Sequence, residues 1–187
     1  LEEAGGEVSA RPAAASDDPA ALGPADVVLF AVKAQDLDAV APLCRPLIGP
    51  ETVVIPLLNG VEATPRLAAH LGAERVLAGL CRISAFLTGP GVVRRLGDFA
   101  AFRFAEADGT ASARAEAAAA AMREAGIDAA VSEDVERELW LKFLFLASFA
   151  GVTAAARCTA GEIRASAALS GVLAGAVAEI GALARAS

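Results

Sequence analysis

The run DVVLFAVK at residues 26–33 decides the fold class, together with ETVVIPLLNG at residues 51–60. Each is a continuous apolar stretch rich in Val, the pattern of a strand buried on both faces. Between them, residues 36–47 read as a helix that ends at Pro46 and the pair Gly49-Pro50. Residues 62–71 read as a second helix, and ERVLAGL at residues 74–80 as a third strand. Strand, helix, strand, helix, strand at this spacing predicts right-handed parallel βαβ units with helices on both faces.

Beyond residue 80 the pattern changes. Residues 91–96 and 100–104 are short runs separated by Gly97-Asp98, which predicts an antiparallel hairpin turning there. An Ala-rich helix follows over residues 110–125, then a short strand over residues 127–131. Ser132 is expected to cap a longer helix, with Glu133, Asp134 and Glu136 in its first turn, where acidic groups suit the helix dipole. That helix is almost wholly apolar over residues 139–156, loosens over 151–161, and gives way to a final helix from about Ser166. The domains expected are therefore 1–131, α/β, and 132–187, all-helical. Before residue 26 the chain is rich in Ala, Gly and Pro, with Asp18 capping a short helix that begins at Pro19.

Composition excludes several classes. The 187 residues hold 16 Lys plus Arg against 23 Asp plus Glu, a net charge of −7, which argues against nucleic acid or an anionic membrane surface as a partner. The three cysteines, Cys44, Cys81 and Cys158, lie far apart without a CxxC pair, as in a reducing cytoplasm rather than a disulfide scaffold or zinc knuckle. They read as small core residues, and no metal site is expected. Residue 1 is Leu, and no signal-peptide pattern opens the chain. Residues 139–156 are long enough to span a bilayer, but Lys142 would cost about 3 kcal/mol at its centre. Buried core helices are expected instead.

The rare polar residues carry the functional reading. Only Lys33 and Lys142 are lysines, and Asn59 is the only Asn, Gln35 the only Gln and His70 the only His. Lys33 and Asn59 directly follow the first two strands, so a parallel sheet brings both to its carboxyl edge, where open α/β folds bind ligands. The plainer alternative is that Asn59-Gly60 is only a turn and Lys33 only a solvated residue. Lys142 is the one charge within LWLKFLFL at residues 139–146. Desolvation there lowers a lysine pKa and suits it to act as a general acid on a carbonyl oxygen. Its alternative is a snorkelling lysine paired with Glu138 at the helix surface. His70 has no second ligand near it in sequence and reads as a surface or a satisfied histidine.

Taken together, the run ADVVLFAVKA at 25–34, Asn59-Gly60 after a strand, GPGVV at 89–93 and ELWLK at 138–142 resemble the ketopantoate reductases (2-dehydropantoate 2-reductases). The resemblance implies a partial NAD(P)-binding Rossmann domain followed by part of a helical domain, the plan shared with 6-phosphogluconate dehydrogenase-like folds. It implies NADPH-dependent reduction of a small-molecule 2-keto acid, 2-dehydropantoate to pantoate, in the cytoplasm. By the same resemblance Lys142 is the catalytic acid, Asn59 lies near nicotinamide and substrate, Lys33 lies near bound NADP(H), and Glu162 belongs to a glycine-glutamate element. The family's GxGxxG loop and its later substrate-binding helices have no counterpart within residues 1–187, which predicts weak NADPH binding by this stretch alone. Leu146 and Ala150 stand where well-studied members carry asparagines. The alternatives are a non-catalytic module of the same fold that dimerises through its apolar helices, and another β-hydroxyacid-type dehydrogenase. Apolar faces left uncovered would favour aggregation or a homodimer.

Overall fold

A computed structural model of the chain describes residues 10–187 and the backbone of two short strands, β1 (Glu2–Glu3) and β2 (Gly6–Glu7), which pair antiparallel. The irregular segment expected over residues 1–25 therefore falls partly outside the described residues. Within it, Asp18 accepts a hydrogen bond from the Ala20 amide at 3.0 Å and opens a 3₁₀ turn at Pro19–Ala21.

The chain divides into two compact units, Leu1–Val135 and Glu136–Ser187. In the first, β3 (Ala25–Phe30) pairs parallel with β4 (Ile48–Pro56). The crossover between them is only briefly α-helical. Helix α1 covers Leu37–Val40, flanked by 3₁₀ segments at Ala34–Asp36 and Ala41–Leu47. Pro42 and Pro46 lack the N–H groups that a regular helix over 36–47 would need, so the tighter turns replace it. Helix α2 (Ala63–Leu71) follows β4.

The two core strands differ in burial. β4 is fully buried from Thr52 to Pro56, as expected. β3 is not, because Leu29 is 44% exposed. Among the described residues β3 has a partner only on its β4 side, so it forms an edge. Period-2 alternation sorts the side chains into two cores. Val28, Phe30 and Val54 pack with Leu37, Leu67 and Leu71 on one face. Val53 and Ile55 pack with Leu77, Phe104 and helix α3 (Ala113–Glu124) on the other. Helices thus cover both faces of the sheet.

The segment after α2 departs from the reading of the sequence. A 3₁₀ turn occupies Ala73–Arg75, and Val76 makes a single parallel bridge to Val54. The chain then runs straight into a long strand, β5 (Ala78–Gly89), paired antiparallel with β6 (Val92–Ala105). The hairpin turns at Pro90-Gly91, not at Gly97-Asp98. Gly91 and Gly97 both have positive φ, 72° and 67°. Gly91 uses it to reverse the chain, whereas Gly97 uses it to bulge out of a continuing strand. β6 also pairs in parallel with β7 (Ala129–Val131), which follows α3.

The second unit begins in helix α4 (Val135–Ala156). The Ser132 hydroxyl accepts from the Asp134 amide at 3.2 Å, and the helix starts three residues later than that side chain. α4 does not loosen at Gly151. It ends at Arg157, whose φ of 48° is left-handed. A capping box then opens α5 (Ala160–Ala165), and the Ser166 side chain caps α6 (Ala167–Ala186) through the Leu169 amide.

Neither long helix is the buried core helix expected. α6 has no buried residue, and Val172 and Leu183 are 60% and 53% exposed. α4 and α6 are both long and apolar enough to cross a membrane, with mean hydropathy 1.7, which is weak grounds for doing so. With so few residues of α4 and α6 covered, their apolar side chains stay largely exposed. The cysteines differ likewise: Cys44 is buried, but Cys81 and Cys158 are only half-buried.

Candidate functional site

Parallel pairing of β3 with β4 sends both strands toward the same edge. Phe30 lies opposite Pro56, and the Leu57 amide donates to the Phe30 carbonyl at 2.8 Å, which extends the pairing one step further. Lys33 and Asn59 each stand third after these strand ends, exposed, in the two loops that leave this edge. Lys33 has extended backbone angles, φ −70° and ψ 145°, and its carbonyl accepts from the Asp36 amide at 2.9 Å. Asn59 lies in the bend before α2.

The edge is braced by Arg66 and Asp38, which the sequence did not single out, together with His70. Arg66 on α2 donates through Nη2 to Asp38 Oδ2 at 2.9 Å and to the Ala34 carbonyl at 3.1 Å. His70, one turn further along α2, has its Nε2 3.1 Å from Asp38 Oδ1. Asp38 is held below its ordinary 3.8, first by the hydrogen bond from Arg66 and then by that from His70. Of the two readings of His70, surface or satisfied, the pairing with Asp38 bears out the second. The spacing of Arg66 and His70 on one helix face was legible; their shared carboxylate across the unit was not.

In the second unit, Lys142 lies half-buried on α4. One turn on, Phe145 is 61% exposed, and its ring stacks on Phe149 at 5.6 Å with the planes 9° apart. Leu146 and Ala150 follow Lys142 at one and two turns. Glu162 acts locally. Its Oε2 accepts from the Thr159 amide at 2.7 Å and from the Thr159 hydroxyl at 2.8 Å, and these bonds hold its carboxyl below the ordinary 4.5. It closes the first turn of α5. The structure thus brings Lys33 and Asn59 to one edge, while Lys142 belongs to the other unit.

The donor set at the carboxyl edge is an ammonium group, a carboxamide and open loop backbone. That chemistry fits the phosphate, hydroxyl and amide groups of a nucleotide cofactor. A parallel α/β unit with such an edge, followed by an all-helical unit, is the plan of a nucleotide-binding fold with an appended helical part.

Comparison with known proteins makes the assignment particular. The family described as Ketopantoate reductase PanE/ApbA matches residues 1–109, and its C-terminal counterpart matches residues 134–187. The chain belongs to the ketopantoate reductase family. It is 35% identical over 131 residues to an uncharacterized oxidoreductase, YkpB, of Bacillus subtilis, covering 70% of this chain and 43% of that protein. It is 33% identical over 147 residues to a 2-dehydropantoate 2-reductase of Halobacterium salinarum, covering 78% and 47%. The crystal structure of 2-dehydropantoate 2-reductase from Geobacter metallireducens superposes with a TM-score of 0.81 at 30% identity, covering 89% of this chain and 55% of that one. The chain spans about half the length of the curated relatives it matches.

Proposed function

We infer that the protein reduces a 2-keto acid with NADPH, and that 2-dehydropantoate is the substrate and pantoate the product. The observation that carries this reading is that the loops holding Lys33 and Asn59 leave the same carboxyl edge of β3 and β4, within a chain of the ketopantoate reductase family. Lys33 is assigned to the phosphates of the cofactor, as a point charge on a flexible stem. Asn59 is assigned to hydrogen bonds beside the nicotinamide. Bound NADPH supplies the hydride. Lys142 holds the proton that the ketone oxygen takes as negative charge develops on it. A small-molecule pathway enzyme of this kind works in the cytoplasm.

A second reading keeps the chemistry and changes the substrate. Leu146 and Ala150 offer no hydrogen bonds where well-studied members place amides, which favours a 2-keto acid with a more apolar tail. NADPH oxidation by the full-length protein, followed against 2-dehydropantoate and a panel of other 2-keto acids, separates the readings. The first predicts the highest kcat/KM on 2-dehydropantoate. Preference for a bulkier apolar acid selects the second, and no oxidation with any acid rejects both.

A further inference from the structure

We propose that Arg66 is a positioning residue for cofactor binding, fastening the loop that carries Lys33 to the helix that follows Asn59. The proposal rests on the reductase reading above and extends it to a residue outside the direct contacts.

The Lys33 loop belongs to no regular ladder, since residues 31–33 lie between the end of β3 and the 3₁₀ turn at Ala34–Asp36. Such a segment is held only by specific bonds. Two successive carbonyls fix the chain on the far side of Lys33. Its own carbonyl takes the Asp36 amide at 2.9 Å, and the next one, of Ala34, takes Arg66 Nη2 at 3.1 Å. The first bond is local to the turn. The second reaches across to another element and sets where the turn sits.

Arg66 itself stands on a packed helix. It is half-buried on α2, next to Leu67, which has no exposed surface and packs in the core with Leu58 and Leu37. Its guanidinium also grips Asp38 through both Nε and Nη2, at 3.4 and 2.9 Å. That fork fixes the direction of the group that reaches Ala34, which a lysine's single charge cannot do. Because α2 starts at Ala63, shortly after Asn59, one side chain ties the two loops of the edge to a single packed helix.

The test is NADPH binding by the full-length protein, read from nucleotide fluorescence, for wild type, Arg66→Lys, Arg66→Ala and Asp38→Asn. Steady-state kinetics and thermal midpoints accompany each. Loss of a charge-assisted bond at a solvent-accessible site predicts a rise of about three- to tenfold in Kd and in KM for NADPH with Arg66→Ala. Saturating kcat should stay within about twofold, and Arg66→Lys should recover part of the affinity. Asp38→Asn, which loosens the fork, should shift Kd in the same direction by less. An unchanged Kd in Arg66→Ala overturns the proposal, as does a fall in kcat with Kd constant. If wild type binds NADPH but turns over no keto acid, the function fails while Kd still decides the role of Arg66. If wild type binds no NADPH, both fall.

Discussion

Arg114 donates to Glu106 through Nε at 2.7 Å and Nη2 at 2.6 Å, and this pairing chiefly holds the Glu106 carboxyl below its ordinary 4.5. A carboxylate with a depressed folded-state pKa stabilises the fold above its unfolded pKa, and that stability is lost as pH falls through the depressed value. Thermal midpoints should therefore hold steady above about pH 5 and fall in more acid solution, and Glu106→Gln should flatten that acid limb. An unchanged limb in the variant would show that other carboxylates carry it. Ser148 poses the opposite case. It is 2% exposed, and its hydroxyl has no hydrogen-bond partner among the described residues. Removing a buried hydroxyl that makes no bond costs nothing, so Ser148→Ala should be neutral or stabilise by up to about 1 kcal/mol in denaturant unfolding. A loss beyond that would reveal a partner for this hydroxyl.

At the scale of elements, β5 passes close against the end of β4 at Gly79. A Cβ there would stand 2.8 Å from both Ile55 Cγ2 and the Pro56 carbonyl oxygen. The backbone oxygen cannot turn aside as a side chain can, so Gly79→Ala should destabilise the first unit by about 1–3 kcal/mol. Melts of the variant that match wild type would show that the strands can part there. The same strand explains what was illegible in sequence. The strands at 25–30 and 48–56 announced themselves through Val-rich runs between Gly and Pro signals. Residues 81–89 carried no comparable signal, because both faces of this half of the hairpin are exposed and its apolar residues, such as Leu87 at 72%, follow no single period. Gly97 looked like a turn because a bulge and a turn ask the same backbone freedom of glycine. The capping box Thr159–Glu162 was half legible. The Gly161-Glu162 pair carries a family likeness, whereas its visible work is to close a helix end, so Thr159→Ala should cost about 1 kcal/mol.

For the whole molecule, the order of classes, α/β and then all-helical, was readable from periodicity, and so was the edge that gathers Lys33 and Asn59. Two features were not. The bracing of that edge by Arg66 and Asp38 depends on a contact between α2 and the turn before α1, which no local pattern encodes. The exposure of α4 and α6 depends on how many elements surround them, whereas composition reports only that they are apolar. Under the proposed function, Lys142 on α4 is the proton donor, and Lys33 and Asn59 serve the cofactor. The direct test is Lys142→Ala in the full-length protein, with NADPH binding and turnover of 2-dehydropantoate measured side by side. Loss of a positioned general acid predicts a fall in kcat of about a hundredfold or more, with the Kd for NADPH within about twofold of wild type. A variant that turns over as fast as wild type would contradict the account.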